Sequence, residues 1–273
     1  MDKILDITEL ENKAKEVRKG IIEAVYSANS GHPGGSLSIA DIMTVLYFNE
    51  MSIDENNPKW EDRDRLVLSK GHCSPALYSC LAERGFFNKE ELKTFRKLNS
   101  NLQGHPDMNK VLGVDMTTGS LGQGLSVANG MAIAGKLDKK NYRVYAILGD
   151  GEIEEGQIWE AAMASRKYKL DNLCVIVDKN NLQIDGTTDE VMSLAPIDEK
   201  FRSFGFEVIT IDGNNILEIM KAFAKAKTVK NKPTCIIAKT IKGKGVSFME
   251  DKVEWHGKAP SEEQYNLAMQ ELN

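Results

Sequence analysis

The strongest constraint on the fold of this chain is a repeated alternation of two patterns. Short apolar runs, rich in β-branched residues, occur at Arg65–Leu68, Val144–Leu148, Leu173–Val177, Val208–Ile211 and Cys235–Ala238. Stretches with apolar residues at helical spacing lie between them, notably Leu125–Leu137, Ile158–Tyr168 and Ile216–Ala226. Strands without polar alternation are buried on both faces, and strands alternating with helices build a parallel sheet. The expected fold class is α/β, a doubly wound, mostly parallel sheet with helices on both faces. The 273 residues contain no repeat, low-complexity tract or Pro/Ser-rich linker, so one domain over 1–273 is expected.

A helical segment precedes this pattern. Ile7, Leu10, Ala14, Val17, Ile21 and Val25 recur on one helix face, with Asp6 and Glu9 spaced as a capping pair. Ser30–Gly35 (SGHPGG) interrupts it, because Pro33 and the glycines cannot continue a helix. A second helix is expected from after Ser38 to about Asn49. The N-terminal segment is charged and lacks an apolar h-region, so no signal peptide is expected. No run approaches the ~20 apolar residues of a membrane span. Cys73, Cys80, Cys174 and Cys235 show neither CxxC nor metal-ligand spacing, and Cys174 and Cys235 read as buried thiols. A reduced, cytoplasmic protein is the simplest account. The net charge of −5 gives no reason to expect nucleic acid or membrane as partner, and leaves phosphorylated ligands open.

Ligands of such sheets bind beyond the carboxyl ends of the strands. There the chain carries Ser69–His72 (SKGH), Gly149-Asp150-Gly151, Asp178–Asn181 (DKNN) and Lys239–Gly245 (KTIKGKG). An Asp between glycines leaves room for a phosphate, and a helix over Glu155–Tyr168 would direct its N-terminus there. Alone, GDG is also a common turn. Asn180 lies thirty residues beyond Asp150, one βαβ crossover away. A carboxylate, an amide oxygen and the Leu182 backbone carbonyl suit Mg²⁺, which prefers oxygen ligands and shares them with phosphates. The four histidines, His32, His72, His105 and His256, each adjoin glycine. A lone histidine is more often structural, but glycine neighbours allow close approach and imidazole supports proton transfer.

GDG followed by Asn-Asn resembles the thiamine diphosphate signature, and its surroundings resemble the transketolase family. The resemblance rests on SGHPGG (Ser30–Gly35), SKGH (Ser69–His72), QGHP (Gln103–Pro106), TTGSLGQG (Thr117–Gly124), GDGEIEEGQIWEA (Gly149–Ala161), DKNNLQIDG (Asp178–Gly186) and WHGKAP (Trp255–Pro260). It covers roughly residues 8 to 260. It implies thiamine diphosphate with Mg²⁺ (or Ca²⁺) held by Asp150, Asn180 and Leu182. It further implies that His72 and His256 contact the diphosphate, together with backbone groups of Gly119, Ser120, Leu121 and Gly151, while Ile184 packs on the ring system. By the same resemblance His32 and His256 face the sugar hydroxyl that loses a proton, and His105 binds the terminal hydroxyl. Glu155 and Glu160 resemble residues that couple paired active sites, although acidic residues also suit a helix N-terminus. Ser120 stands where the family often has proline and Leu182 where it often has isoleucine; both positions act through the backbone.

A complete transketolase continues into a pyrimidine-binding domain with the glutamate that activates the cofactor, and then a C-terminal domain. The resemblance therefore implies an N-terminal subunit of a split enzyme, working as α2β2 with a C-terminal subunit on sugar phosphates. Such a complex transfers a two-carbon glycolaldehyde unit from a ketose phosphate to an aldose phosphate. Alternatives are an enzyme for a sulfo- or branched sugar and the α subunit of a 2-oxo acid dehydrogenase, which also pairs GDG with NN. Deoxyxylulose-phosphate synthase fits TTGSLGQG poorly. A silent scaffold would not need the metal ligands and histidines, and a nicotinamide enzyme lacks GxGxxG after its first strand.

Overall fold

The computed structural model describes residues 6–273. The first five residues of the expected domain and of the charged N-terminal segment lie outside the described residues. Helix α1 (Ile7–Ala28) opens on the expected capping box: the Asp6 carboxylate accepts from Glu9 N at 2.8 Å and Glu9 accepts from Asp6 N at 2.9 Å. It ends at Asn29 in the left-handed conformation (φ 46°). The chain then departs from expectation. Pro33 does not merely interrupt; it occupies the first position of a new helix, α2 (Pro33–Ser38). A proline there loses no helical hydrogen bond and brings a pre-set φ. The expected second helix is accordingly split, with α3 (Ala40–Val45) following a break at Ile39 and running into a π-helical turn, Leu46–Glu50.

Strand β1 (Arg65–Leu68) leads to α4 (Ser74–Arg84), and α5 (Gly124–Leu137) leads to β2 (Val144–Gly149). Then come α6 (Gly156–Lys167), β3 (Leu173–Lys179) and a small hairpin, β4 (Leu182–Gln183) with β5 (Gly186–Thr187). Helices α7 (Thr188–Met192) and α8 (Ile197–Ser203), strand β6 (Glu207–Asp212), α9 (Ile216–Thr228), β7 (Thr234–Lys239) and α10 (Glu262–Glu271) complete the chain. The five long strands form one sheet in the order β1-β2-β3-β7-β6, with every neighbouring pair parallel.

Both faces of β1, β2, β3 and β7 are buried, as the unbroken apolar runs require, whereas the edge strand β6 is mostly half-buried or exposed. Tyr145, Ile147, Cys174, Ile176, Ile236 and Ala238 face a core shared with α1, α3, α4 and α9. Their neighbours Val144, Ala146, Leu148, Val175, Val177, Cys235 and Ile237 face a second core with α5, α6 and α8. Fully burying one branched side chain contributes roughly 1.5–3 kcal/mol, so packing on two faces holds these short strands. All four cysteines are buried and unpaired. No helix among the described residues is long and apolar enough to cross a membrane. The register sets Leu68 beside Ile147, Gly149 beside Asp178 and Lys179 beside Lys239, so four strands end on one edge.

Candidate active site

At that edge lies a cavity of about 460 Å³. It gathers residues from segments far apart in sequence: His32 at the start of α2, Lys70 and His72 after β1, His105, Gly119 and Leu121 before α5, and Asp150 and Gly151 after β2. Asn180, Leu182 and Ile184 enter from the turn after β3, Lys242 follows β7, and His256 closes the ring. Of the positions singled out in the sequence, Ser120, Glu155 and Glu160 do not line the cavity; all three are exposed, with Glu155 capping α6 and Glu160 in its second turn. A 3-10 turn, Glu152–Glu154, intervenes between β2 and α6, so the residues directly after GDG are not yet α-helical.

Three histidines meet in a triangle. Ring centroids are 5.1 Å apart for His32–His72, 5.5 Å for His32–His256 and 5.3 Å for His72–His256. Burial, then neighbouring positive charge, lowers their pKa values to about 4 for His32, 2 for His72 and 3 for His256. All three are neutral near pH 7 and able to accept or donate a proton. Lys242, 2% exposed, donates to the Leu182 carbonyl and lies 2.9 Å from His256 Nδ1. An ammonium has only donors, so Nδ1 accepts and the His256 proton sits on Nε2. His105 is more exposed, and its ring packs against Gly119 (φ 144°), where a Cβ would come within 2.9 Å of the imidazole. Gly71 serves the same closeness: a Cβ there would meet the Gly119 nitrogen at 2.7 Å.

These histidine shifts give a pH dependence. A folded pKa below the unfolded value near 6.5 means that the unfolded chain binds more protons in the window from about 6.5 down to about 4 for His32, 3 for His256 and 2 for His72. Their contribution to stability is complete above pH 6.5 and is lost as pH falls through that window. The urea midpoint is expected to drop between pH 7 and 5, and His72→Asn should flatten this drop. An equal slope in the variant would contradict neutral burial of His72.

Below the histidines lies a polar floor. Asp178 is fully buried and accepts from Ser38 Oγ at 2.7 Å, Asn180 Nδ2 at 2.8 Å, Lys70 Nζ and Thr240 Oγ1. Burial opposes charge on both Asp178 and Lys70, yet their mutual attraction wins, lowering the one pKa and raising the other. Because its amide nitrogen is committed to Asp178, Asn180 is fixed with Oδ1 as the free acceptor, here taken by Leu182 N at 3.1 Å. Asp150 is 4% exposed and has no cationic hydrogen-bond partner; it accepts only from the Gly151 and Asn181 backbone amides. Burial and the Asp178 charge push its pKa up to about 7. A deep carboxylate in this setting is suited to a cation.

The residues fit a metal-bound diphosphate. Two buried lysines and neutral imidazoles offer donors, while Asp150 and the Asn180 amide oxygen offer oxygen ligands. The buried His32 Nδ1 and Thr118 Oγ1 have no protein partner. Among the described residues no group of three His, Cys, Asp or Glu side chains is arranged to hold a metal. The Leu182 carbonyl, expected as a third ligand, accepts from Lys242 at 2.9 Å. Sequence reasoning placed Lys70, Asp178 and Lys242 on the ligand edge but assigned them no role, and it passed over Glu152. Only their depth in the folded chain marks them.

Residues 10–272 match the family model described as the transketolase thiamine diphosphate-binding domain. The chain is 48% identical to the 6-deoxy-6-sulfo-D-fructose transketolase subunit of Clostridium sp. (strain MSTE9), over 97% of this chain and 96% of that one. It is 45% identical to an apulose-4-phosphate transketolase subunit of Phocaeicola vulgatus, over 98% and 95%. The crystal structure of transketolase from Campylobacter jejuni superimposes with a TM-score of 0.92 at 37% identity, covering 98% of this chain and 43% of the longer one.

Proposed function

The chain belongs to the transketolase thiamine diphosphate-binding domain family, and from that premise we propose that it is the diphosphate-binding subunit of a transketolase completed by a second chain. The observation that carries this reading is the cavity itself, which brings all four histidines together with Asp150 and Asn180. Bound thiamine diphosphate supplies a carbon nucleophile that makes the bond beside a ketose carbonyl cleavable. The residues of this chain bind and orient around it. His72, His256 and Lys242 donate to the diphosphate, with backbone groups of Gly119, Ser120, Leu121 and Gly151 alongside. Asp150, Asn180 and the Leu182 carbonyl hold Mg²⁺ or Ca²⁺. Ile184, 64% exposed, offers apolar surface to the ring system. His32, neutral in the folded chain, takes up and returns the proton of the hydroxyl next to the carbonyl, with His256 facing the same hydroxyl, and His105 binds the sugar's terminal hydroxyl.

The partner in this proposal carries the pyrimidine-binding domain, the activating glutamate and most of the grip on the sugar phosphate, in an α2β2 complex. Two relatives matched over nearly their whole length are named as subunits, and the solved transketolase is more than twice as long. Exposed Glu155 and Glu160 are then free to couple paired sites across an interface. The relatives' names cite 6-deoxy-6-sulfo-D-fructose and apulose 4-phosphate, so the donor here is a common ketose phosphate or one of these two sugars. The reconstituted complex should be assayed with xylulose 5-phosphate, apulose 4-phosphate, 6-deoxy-6-sulfofructose and pyruvate. Two-carbon transfer from at least one ketose is expected. Turnover of pyruvate alone would point to the 2-oxo acid reading instead.

A further inference from the structure

One buried acid lining the cavity has no place in the chemistry above. Glu152, the first residue of the turn after Gly151, is 3% exposed and has no lysine or arginine within hydrogen-bonding distance. Its Oε1 accepts from Ser69 Oγ and from Gly122 N at 3.0 Å, and its Oε2 accepts from Gly149 N at 3.0 Å. The three donors belong to three separate segments that border the cavity: the end of β1 before His72, the turn of Gly119 to Gly122, and the end of β2 before Asp150. Ser69 is itself fully buried, and the start of α5 rests on it so closely that a Cβ on Gly124 would fall 2.3 Å from its hydroxyl.

We propose that Glu152 is the positioning residue that fixes the backbone of the diphosphate cradle, holding the 119–122 turn and the Gly149–Gly151 turn in one register. The inference rests on the functional reading above, since it concerns what those turns bind. A carboxylate suits the task because it is acceptor-only: each oxygen can face a backbone N–H with no hydrogen of its own in the way. Glutamine has the same size but replaces one oxygen with an NH₂ group. Whichever oxygen is lost, an amide hydrogen then confronts a buried N–H donor, and that side of the link opens. A backbone turn that must place N–H groups against phosphate oxygens loses its preorganisation when its anchor is removed. Glu152 lines the cavity, but both its oxygens are committed to protein donors, so its effect is on where the binding groups stand.

The test is Glu152→Gln in the chain mixed with its partner subunit, read by titration with thiamine diphosphate and Mg²⁺ and by amide hydrogen exchange. The expected result is a loss of cofactor affinity of about tenfold or more, the scale of one buried donor left unpaired, with faster exchange at Gly122 and Gly149. The kcat at saturating cofactor should stay within a few-fold of wild type, because the reacting groups are intact. Cofactor affinity and exchange within twofold of wild type in the folded variant would overturn the proposal. Should Glu152→Gln fail to fold, Ser69→Ala removes one of the three donors more gently. It is expected to weaken cofactor binding a few-fold, and unchanged affinity there would overturn the proposal equally. If instead the wild-type complex takes up no cofactor, the functional reading fails, while the exchange rates at Gly122 and Gly149 still report whether Glu152 anchors them.

Discussion

Asp178→Ala is expected to destabilise the fold by about 3–5 kcal/mol, the scale for stripping one partner from a buried ion pair. Asp178 has no exposed surface and Lys70 is 2% exposed, so neither charge can turn to water. With the carboxylate gone, the Lys70 ammonium loses its charged hydrogen-bond partner and keeps the Gly35 carbonyl, at 3.0 Å. Ser38, Thr240 and Asn180 lose their shared acceptor at the same time. A double variant separates charge from packing. Lys70→Met in the Asp178→Ala background removes the stranded ammonium and should recover a large part of the loss, because replacing both members of a buried pair is often near neutral. Urea unfolding of the single and double variants measures this. A single variant within 1 kcal/mol of wild type would mean that the pair is not the hub it resembles.

Asp150→Ala should leave the fold near wild-type stability and remove cofactor binding. Its carboxylate is buried with a pKa pushed up to about 7, so in the absence of a cation its charge is a burden that alanine relieves. Its contribution lies in ligation. Loss of a group outside the metal's own ligands typically costs 10–100-fold in affinity. Loss of the single carboxylate in the coordination set should therefore exceed about 100-fold at fixed Mg²⁺. Asn180→Ala should fall in the same direction with a smaller effect, since a neutral amide oxygen is the weaker ligand for a hard cation. Wild-type-like titration curves for either variant would remove the proposed metal site.

Much of this was legible in the sequence because it depends on local pattern. The strand runs set the parallel sheet, and Asp6 with Glu9 marked the start of α1 through chemistry confined to one helical turn. The error at Pro33 has the opposite cause. A proline ends one helix or begins another with equal ease, and only the folded chain, which buries Pro33 at the start of α2, decides which. The histidines were legible because glycine neighbours flag close approach. Lys242 was not: the end of β7 and the segment after it offer Lys239, Lys242 and Lys244, and only the fold buries the middle one while the others remain at least partly exposed. Glu152 and Asp178 were hidden for the same reason. Acidic residues at strand ends are normally solvated, and the roles of these two arise from donors supplied by segments 30 to 140 residues away.

The most direct test of the central claim is calorimetric titration of thiamine diphosphate into this chain combined with its partner subunit, with and without Mg²⁺. The expected result is one saturable site per copy of this chain that disappears when the divalent cation is removed and is absent in Asp150→Ala. Cofactor uptake that is indifferent to both the cation and Asp150, or no uptake by the folded complex at all, would contradict it.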